Sequence, residues 1–272
     1  MNFEKLFFDY QNSTGYKKLS DSSKETYKYA GRKLVDYFGI TPVTKIKRSD
    51  FIRFQNEHSE KPAYANLAIR LASVVFSYAV DMDIVQFNPV ARLRKMKGGS
   101  HEKWEIDEVK KVIALGDRRI STAVALAWYT GQREGDILSM QWKDYRDGYI
   151  TVTQQKTNLE MKIKAHPDLM AYLDQIRGDE PPQNFIVSGK TIMSGQAFRG
   201  MLKRRTDALR ISKVFHGIRK GVACALAENG RPISEIAAIM GHKSMRMAAY
   251  YSEQANSKTL TENAVSNMVT CI

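Results

Sequence analysis

The segment that most constrains the fold of this chain runs from Asn88 to Ser100. Asn88-Pro89 interrupts a long helical pattern, a basic stretch follows at 91–97, and Gly98-Gly99-Ser100 completes the segment. Because proline cannot continue a helix and adjacent glycines leave the backbone unrestrained, this composition is typical of a linker. A chain of 272 residues is also longer than one ordinary domain. We therefore predict two domains, residues 1–97 and 104–272, joined by a linker at 98–103.

The charge of the chain is strongly positive and is shared between the two parts. The formal charge is +13 at pH 7, with +7 in residues 1–100 and +6 in residues 101–272. A single basic tail on a neutral enzyme would not produce that division. Two basic bodies that grip a polyanion from two sides would produce it, so we expect a nucleic acid partner.

Cysteine usage and hydropathy exclude several classes of protein. Cys224 and Cys271 are too few for a disulfide scaffold and lack metal-ligand spacing. The N-terminus has no secretory signal pattern, and no stretch approaches eighteen consecutive apolar residues. No phosphate-binding loop or nucleophile elbow is visible. We expect a cytoplasmic protein with no metal, no cofactor and no membrane partner.

The residues before the linker predict helices alone. Ser22-Ser23-Lys24-Glu25 has the form of a capping box, and apolar residues recur at helical spacing from there to Gly39. About twenty residues are therefore expected to precede the first clear helix. A short helix is expected around residues 49–54. A longer helix is expected from Pro62 to Val80, with an inner face made of Leu67, Leu71, Val74, Val75 and Tyr78.

The residues after the linker predict helices with one hairpin. Residues 149–153 and 161–165 alternate at period two around the turn Lys156-Thr157-Asn158, which indicates two antiparallel strands. Helices are expected at 104–115, 120–130, 134–140, 198–209, 215–228 and 233–240. The predicted fold class is mainly α with a small antiparallel β-sheet, in a helical domain followed by an α+β domain.

Three basic motifs are candidates for chemistry. Arg133 lies at a glycine-flanked helix start, where backbone N–H groups and a guanidinium can face a phosphate, although it can equally pair with Asp136 on the surface. His216 and Arg219 share one helix face, as a solvated pair would. His242 follows a helix-ending glycine, where it can donate to a carbonyl as easily as to a phosphate.

A tyrosine pair completes the set of candidates. Tyr250 and Tyr251 have the spacing of core or interface residues as well as that of a nucleophile. Each motif alone has an ordinary explanation. Their joint order is improbable by chance: an arginine, a turn lysine, His-x-x-Arg, Gly-His and then a tyrosine nine residues after that histidine.

This joint pattern resembles the tyrosine recombinases, also called the phage integrase family. The matching segments are TGQR at 130–133 with Gly135-Asp136, Lys156-Thr157, HGIR at 216–219, MGHKS at 240–244 and Tyr251. The TGQR and GHKS phrases are most similar to the lambda integrase branch. The motifs cover residues 101–256, and residues 12–97 resemble more loosely the helical core-binding domain of the family. The resemblance implies a helical, SAM-like, core-type DNA-binding domain at 1–97 and a tyrosine recombinase catalytic domain with a C-terminal tail at 104–272.

The resemblance implies a phosphoryl transfer that uses neither metal nor ATP. Tyr251 would attack a DNA phosphate and form a 3′-phosphotyrosyl bond, while Arg133 and Arg219 would hold the non-bridging oxygens. His242 would donate to the same oxygens, and His216 would handle the tyrosine proton. Lys156 would protonate the leaving 5′ oxygen.

The implied function is that of a site-specific DNA recombinase, a prophage or mobile-element integrase. It would bind double-stranded DNA attachment sites as a homotetramer, exchange strands through a Holliday junction, act with a directionality factor and associate with the nucleoid of a bacterial or phage-infected cell. Further phosphate contacts are expected from a set of basic side chains: Arg92, Arg94, Lys95, Lys97, Arg199, Lys203, Arg204, Arg205 and Lys243.

Two other functions are compatible with part of the pattern, and two features of the chain differ from the usual integrases. A type IB topoisomerase shares the catalytic cluster, and a helix-turn-helix regulator would explain the short helices on either side of Gly241 but not Arg133, Lys156 or Arg219. Arm-binding integrases usually carry another N-terminal domain, so the chain is a two-domain recombinase or a fragment. The apolar end at 268–272 is compatible with a strand added to a neighbouring protomer or with a frayed terminus.

Overall fold

The chain forms two compact units. The computed structural model describes residues 1–178, 184–242, 244–253, 255 and 257–266. The first unit comprises Met1–Ser100 and the second His101–Ile272, so they meet within the segment expected to be a linker. Each unit has its own cluster of buried apolar side chains. The predicted fold class, mainly α with a small antiparallel sheet, is confirmed.

Within the described residues 1–100, the regular secondary structure of the first unit is helical, apart from a single antiparallel bridge between Asn2 and Pro42. Phe3, Phe51, Phe54 and Phe76 are almost completely buried and form its aromatic centre. A 3₁₀ turn at Val43–Lys45 links the third and fourth helices. The helices are α1 (Phe3–Asn12), α2 (Thr14–Lys17), α3 (Asp21–Phe38), α4 (Arg48–Glu57) and α5 (Pro62–Asp81).

The start of this unit differs from the sequence-based expectation. The prediction that about twenty residues precede the first helix was wrong, because Asn2 caps α1 and the helix buries Phe3, Leu6, Phe7 and Tyr10. Those four residues have the spacing of one helix face. The predicted capping box was also misplaced. Helix α3 begins at Asp21 because the Ser20 side chain accepts from the backbone N–H of Ser23.

Helix α5 is the core helix of the first unit. By length and composition it could cross a membrane, but Ala65, Ala68, Leu71, Ala72 and Val75 on its inner face are fully buried. The core helix of a globular unit has the same composition. The predicted inner face was partly wrong, since the alanines allow close packing and Leu67, Val74 and Tyr78 are only partly buried at its edges.

The basic stretch before the glycines is attached to the first unit. Arg48 donates to the backbone carbonyls of Ala91 and Arg92, and Gln55 donates to that of Arg94. Asn66 and the backbone of Met96 exchange two hydrogen bonds of 2.9 Å. These contacts order the backbone of residues 91–96, which precede the predicted linker at 98–103, against α4 and α5.

The second unit places helices around one small sheet. Strands β1 (Tyr145–Arg146), β2 (Tyr149–Gln154) and β3 (Leu159–Lys164) are antiparallel in the order β1-β2-β3, with Ile150 opposite Ile163. The helices are α6 (Ile106–Ile113), α7 (Arg118–Thr130), α8 (Glu134–Ser139), α9 (Pro167–Arg177), α10 (Gly195–Ala208), α11 (His216–Glu228), α12 (Ile233–Met240), α13 (Met245–Ser252) and α14 (Ser257–Ser266).

Two helix ends bring the sequence motifs of the second unit together. Helix α7 is buried along most of its length and ends at Gly131, and α12 ends at Gly241; both glycines have left-handed backbone angles, with φ of +65° and +61°. A glycine in this conformation reverses the chain without a steric cost. The residues that follow, Arg133 and His242, therefore turn back toward α11.

Candidate active site

Arg219 lies at the centre of the cluster. It is on the first turn of α11 and is 2% exposed. Its guanidinium donates to the backbone carbonyls of Gly131, the cap of α7, and of Met240, the last residue of α12, and its Nη2 lies 3.0 Å from Nε2 of His242. Burial, and then the charge of Arg133, lower the pKa of Arg219 to about 10, so it remains charged at neutral pH.

Arg133 lies beside Arg219 and occupies the residue before α8. Its Nη1 donates to Oε1 of Gln154 at 2.8 Å and lies 4.0 Å from Oδ2 of Asp136. The sequence left open a simple surface pair of Arg133 with Asp136. The structure differs from it, because Asp136 is 2% exposed and the shorter contact of Arg133 is to Gln154. Two guanidiniums close enough to perturb each other form a site that favours an anion.

His242 connects Arg219 to Tyr251. The imidazole stacks on the Tyr251 ring with 5.9 Å between centroids and 16° between planes. Burial, and then the charges of Arg219 and Arg133, lower the pKa of His242 to about 4, so the ring is neutral at pH 7. Because Nε2 accepts from Arg219, the proton of the neutral ring is on Nδ1. That nitrogen is buried and has no hydrogen-bond partner in the part of the chain that the structure describes.

Tyr250 and Tyr251 occupy different environments on α13. Tyr251 is 7% exposed, whereas Tyr250 is 42% exposed. Helix α13 packs against α11, where the Cys224 thiol donates to the backbone carbonyl of Tyr251. Burial raises the pKa of the Tyr251 hydroxyl, and the charge of Arg219 opposes that rise. The buried tyrosine is thus the one that belongs to the arginine–histidine cluster.

His216 and Lys156 lie at the solvent side of the cluster. Both are exposed; His216 begins α11, and Lys156 is in the β2–β3 turn. Partial burial, and then Arg219, His101, Arg133 and Lys156, lower the pKa of His216. The cations that face His216 are Arg219 on α11, Arg133 at the start of α8 and Lys156 in the hairpin turn. The six predicted site residues therefore come from five segments of the second unit and converge on one region.

The predicted DNA-contacting residues are exposed where the structure describes them. Four of them belong to the first unit: Arg92, Arg94 and Lys95 lie within the stretch at 91–96 that packs on α4 and α5, and Lys97 comes directly after it. On α10, three of the four basic side chains pair with acidic neighbours: Arg199 with Glu134, Lys203 with Asp207 and Arg205 with Asp117. Arg204 is the fourth basic side chain of α10. Lys243 and the apolar end at 268–272 lie outside the described residues.

The sequence assigned no role in the site to four further residues of this region. Gln132 and Gln154 are buried and hydrogen-bonded to each other, and Asp136 accepts from the backbone N–H of Gln155 at 2.9 Å. The His101 ring approaches the His216 ring edge-on with 5.7 Å between centroids. A polar residue at the inward position of an alternating strand was the available signal for Gln154, whereas nothing in the pattern around His101 indicated its placement.

The region offers ligands for an oxyanion. Among the described residues there is no group of three or more His, Cys, Asp or Glu side chains placed to bind a metal ion. The donors that do converge are two guanidiniums and an imidazole N–H. Guanidiniums match the oxygens of a phosphate group in geometry and charge.

The fold and this cluster together define the tyrosine recombinase class. Within that class the chain belongs to the phage integrase family, whose family model matches residues 104–258. The chain is 29% identical over 214 residues to the integrase of Enterobacteria phage 434, a match that covers 71% of this chain and 59% of that protein. The chain thus spans about three-fifths of the length of the curated relatives that it matches first.

Solved structures show the same fold. A lambda integrase (75-356) dimer bound to a COC′ core site has a TM-score of 0.82 and 23% identity, and the match covers 93% of this chain and 95% of that one. A lambda integrase tetramer bound to a Holliday junction has a TM-score of 0.81 and 22% identity, with coverage of 92% and 77%. The predicted similarity to the lambda branch is confirmed, and neither the topoisomerase nor the regulator alternative is favoured.

Proposed function

We propose that this chain carries out site-specific DNA recombination. It would cleave and rejoin DNA through a 3′-phosphotyrosyl intermediate and exchange strands through a Holliday junction, as a homotetramer on double-stranded attachment sites. One observation carries the proposal: buried Arg219 holds His242 against the ring of Tyr251, and Arg133 adds a second cation beside it. A nucleophile next to an anion site is the arrangement that phosphoryl transfer requires.

Binding of the scissile phosphate is the first step. Arg133 and Arg219 would hold its non-bridging oxygens, and the Nδ1–H of His242 would donate to one of them. Both guanidiniums are already fixed by neighbouring oxygens before substrate binds. Donors that are fixed in advance stabilise the charge that develops in the transition state without reorganising.

Attack and departure follow on the same phosphorus. The hydroxyl oxygen of Tyr251 bonds to phosphorus, and its proton passes to His216, whose lowered pKa keeps it neutral and able to accept. The bond to the 5′ oxygen breaks, and Lys156 gives that oxygen a proton. The phosphotyrosyl diester keeps the energy of the broken bond, so the reverse attack by a 5′ hydroxyl needs no external energy source, and no cofactor is required.

The remaining proposals concern partners and location. A set of basic side chains would contact DNA phosphates: Arg92, Arg94, Lys95, Lys97, Arg199, Lys203, Arg204, Arg205 and Lys243. The three of them on α10 that pair with carboxylates would leave those carboxylates and bind phosphates instead. We also propose a cytoplasmic, nucleoid-associated protein that acts with a directionality factor. The tetramer has support from the lambda integrase tetramer on a Holliday junction, which shares this fold.

A plasmid assay separates the proposed activity from its alternatives. Supercoiled plasmids are prepared with two, one or no copies of the attachment site, taken from the DNA that flanks the gene. Recombination should yield deletion or inversion products only from the plasmid with two sites. Relaxation of the plasmid without sites would instead indicate a topoisomerase, and three unchanged plasmids, bound but uncut, would indicate a regulator.

A further inference from the structure

Gln154 is a completely buried amide that uses every hydrogen bond it can make. It is the last residue of β2 and is 0% exposed. Its Oε1 accepts from Nη1 of Arg133 and from Oγ1 of Thr157, both at 2.8 Å. Its Nε2 donates to Oε1 of Gln132 at 2.7 Å and to the carbonyl of Met240 at 3.1 Å. A primary amide has two donors and two acceptor sites, so none remains unused.

The orientation of this amide is determined by its surroundings. The Nε2 group of Gln132 donates to the carbonyls of Thr130 and Ile239, which can only accept. The Oε1 atom of Gln132 must therefore face the second glutamine as an acceptor, and the Gln154 amide must present its nitrogen there. Its oxygen consequently faces Arg133, which can only donate.

The two glutamines join three segments that carry the proposed chemistry. The Met240 carbonyl accepts from Gln154 and also from Arg219, so the same atom ties the amide to the buried guanidinium and to the turn before His242. The Thr157 hydroxyl ties the amide to the residue after Lys156 in the hairpin turn. The fixed guanidinium of Arg133 completes the connection.

We propose that Gln154, oriented by Gln132, is a positioning residue that sets Arg133 and the Lys156 turn against the Arg219–His242 pair. This inference rests on the proposed function. The glutamines would touch neither the phosphate nor the tyrosine. They would act by fixing the distance between the phosphate clamp and the proton donor, a distance on which the rate of a preorganised site depends steeply.

The first test replaces the amide by a side chain of similar shape without hydrogen bonds. Gln154→Met should slow formation of the covalent adduct on a nicked attachment site by roughly 10- to 100-fold, with DNA affinity nearly unchanged. Thr122→Val is the matched control, because Thr122 is buried in α7 and its hydroxyl bonds to that of Tyr172 at 3.0 Å. The control should lose some thermal stability, less than Gln154→Met because it removes one hydrogen bond instead of four, and keep the wild-type rate.

The second test separates the two contacts of the amide oxygen. A substrate with sulfur in place of the 5′ bridging oxygen needs no proton to leave, so it should restore most of the cleavage lost in Lys156→Ala, a loss of roughly 10²- to 10⁴-fold. Thr157→Val removes only the hydroxyl that ties the turn to Gln154. The sulfur substrate should also restore the cleavage rate of Thr157→Val. It should restore the rate of Gln154→Met only in part, because Arg133 remains misplaced in that variant.

The outcomes distinguish this inference from the proposed function. If the wild-type chain forms no adduct, the proposed function fails. If the wild type forms it and Gln154→Met is no slower than Thr122→Val, the positioning role is refuted. It is also refuted if Thr157→Val cleaves at the wild-type rate, a result that stays decisive should Gln154→Met fail to fold.

Discussion

At the scale of single residues, burial distinguishes the two neighbouring tyrosines. Tyr251→Phe removes one oxygen from a ring that is 7% exposed, so fold and DNA binding should persist while the covalent protein–DNA adduct disappears. Tyr250→Phe is the matched control on the exposed face and should retain the adduct. Mass spectrometry of the DNA-linked peptide from a nicked site locates the bond. A DNA remnant on Tyr250 would overturn the assignment.

We expect His242 to make folding of the second unit sensitive to pH. Its pKa is lowered from 6.5 to about 4 in the folded state, so the unfolded chain binds more protons between these values and stability falls as pH drops through that range. Allowing for its partial exposure, the loss from pH 7 to pH 5 is about 1 kcal/mol. In His242→Gln this part of the loss should be missing.

Urea unfolding at pH 7 and pH 5 measures the change in the free energy of unfolding of the second unit. The three tryptophans, Trp104, Trp128 and Trp142, all belong to residues 101–272, so their fluorescence follows the second unit alone. An equal pH-dependent loss of unfolding free energy in the wild type and in His242→Gln would mean that the folded ring binds a proton as readily as the unfolded one.

At the scale of secondary structure, the ends of α7 and α12 determine where the site residues lie. Gly241 has φ of +61°, and an added Cβ would collide with the Gln154 amide and the Met161 sulfur. Gly230 has φ of +70° with open space around its Cβ position. Gly230→Ala should therefore lower the free energy of unfolding only by the cost of a left-handed backbone, about 1–2 kcal/mol. Gly241→Ala should lower it by more, because its Cβ also collides with neighbouring side chains.

Denaturant unfolding followed by tryptophan fluorescence compares the two glycine variants. Gly241→Ala should also slow adduct formation, because the collision displaces the amide that fixes Arg133. Equal stability and equal rates in the two variants would show that the turn after α12 can shift without disturbing the cluster.

The sequence predicted the elements with strong periodicity and missed those with local causes. The hairpin around Lys156 and the helix carrying Arg219 follow from apolar spacing, and the structure has them. Helix α1 was missed although its buried residues have helical spacing, since its cap, Asn2, is followed at N3 by Lys5 and so lacks the capping-box pattern. The motifs of the proposed site could be found by residue type and spacing. The Gln132–Gln154 pair could not, because hydrogen bonds between distant segments leave no periodic signal.

At the scale of the whole molecule, positive charge is divided between two units with separate cores. Residues 1–100 carry +7 and residues 101–272 carry +6, and these ranges coincide with the two compact units. If both units neutralise DNA phosphates, each releases its own counterions. The intact chain should then bind nonspecific duplex DNA with a salt dependence that is the sum of two contributions.

A protease site inserted between Gly98 and Gly99 tests this division on a single preparation. Both glycines have open space at their Cβ positions and follow the attached stretch at 91–96, so the insertion leaves the packed parts of each unit intact. After cleavage, each half should bind duplex DNA more weakly than the intact chain by roughly 10²- to 10⁴-fold, because the second contact no longer benefits from a high effective concentration. The slopes of log affinity against log salt for the two halves should add up to that of the intact chain, since each slope is about −0.9 per phosphate neutralised. A single half with the full slope and affinity would place the whole DNA-binding surface on one unit and refute a grip from two sides.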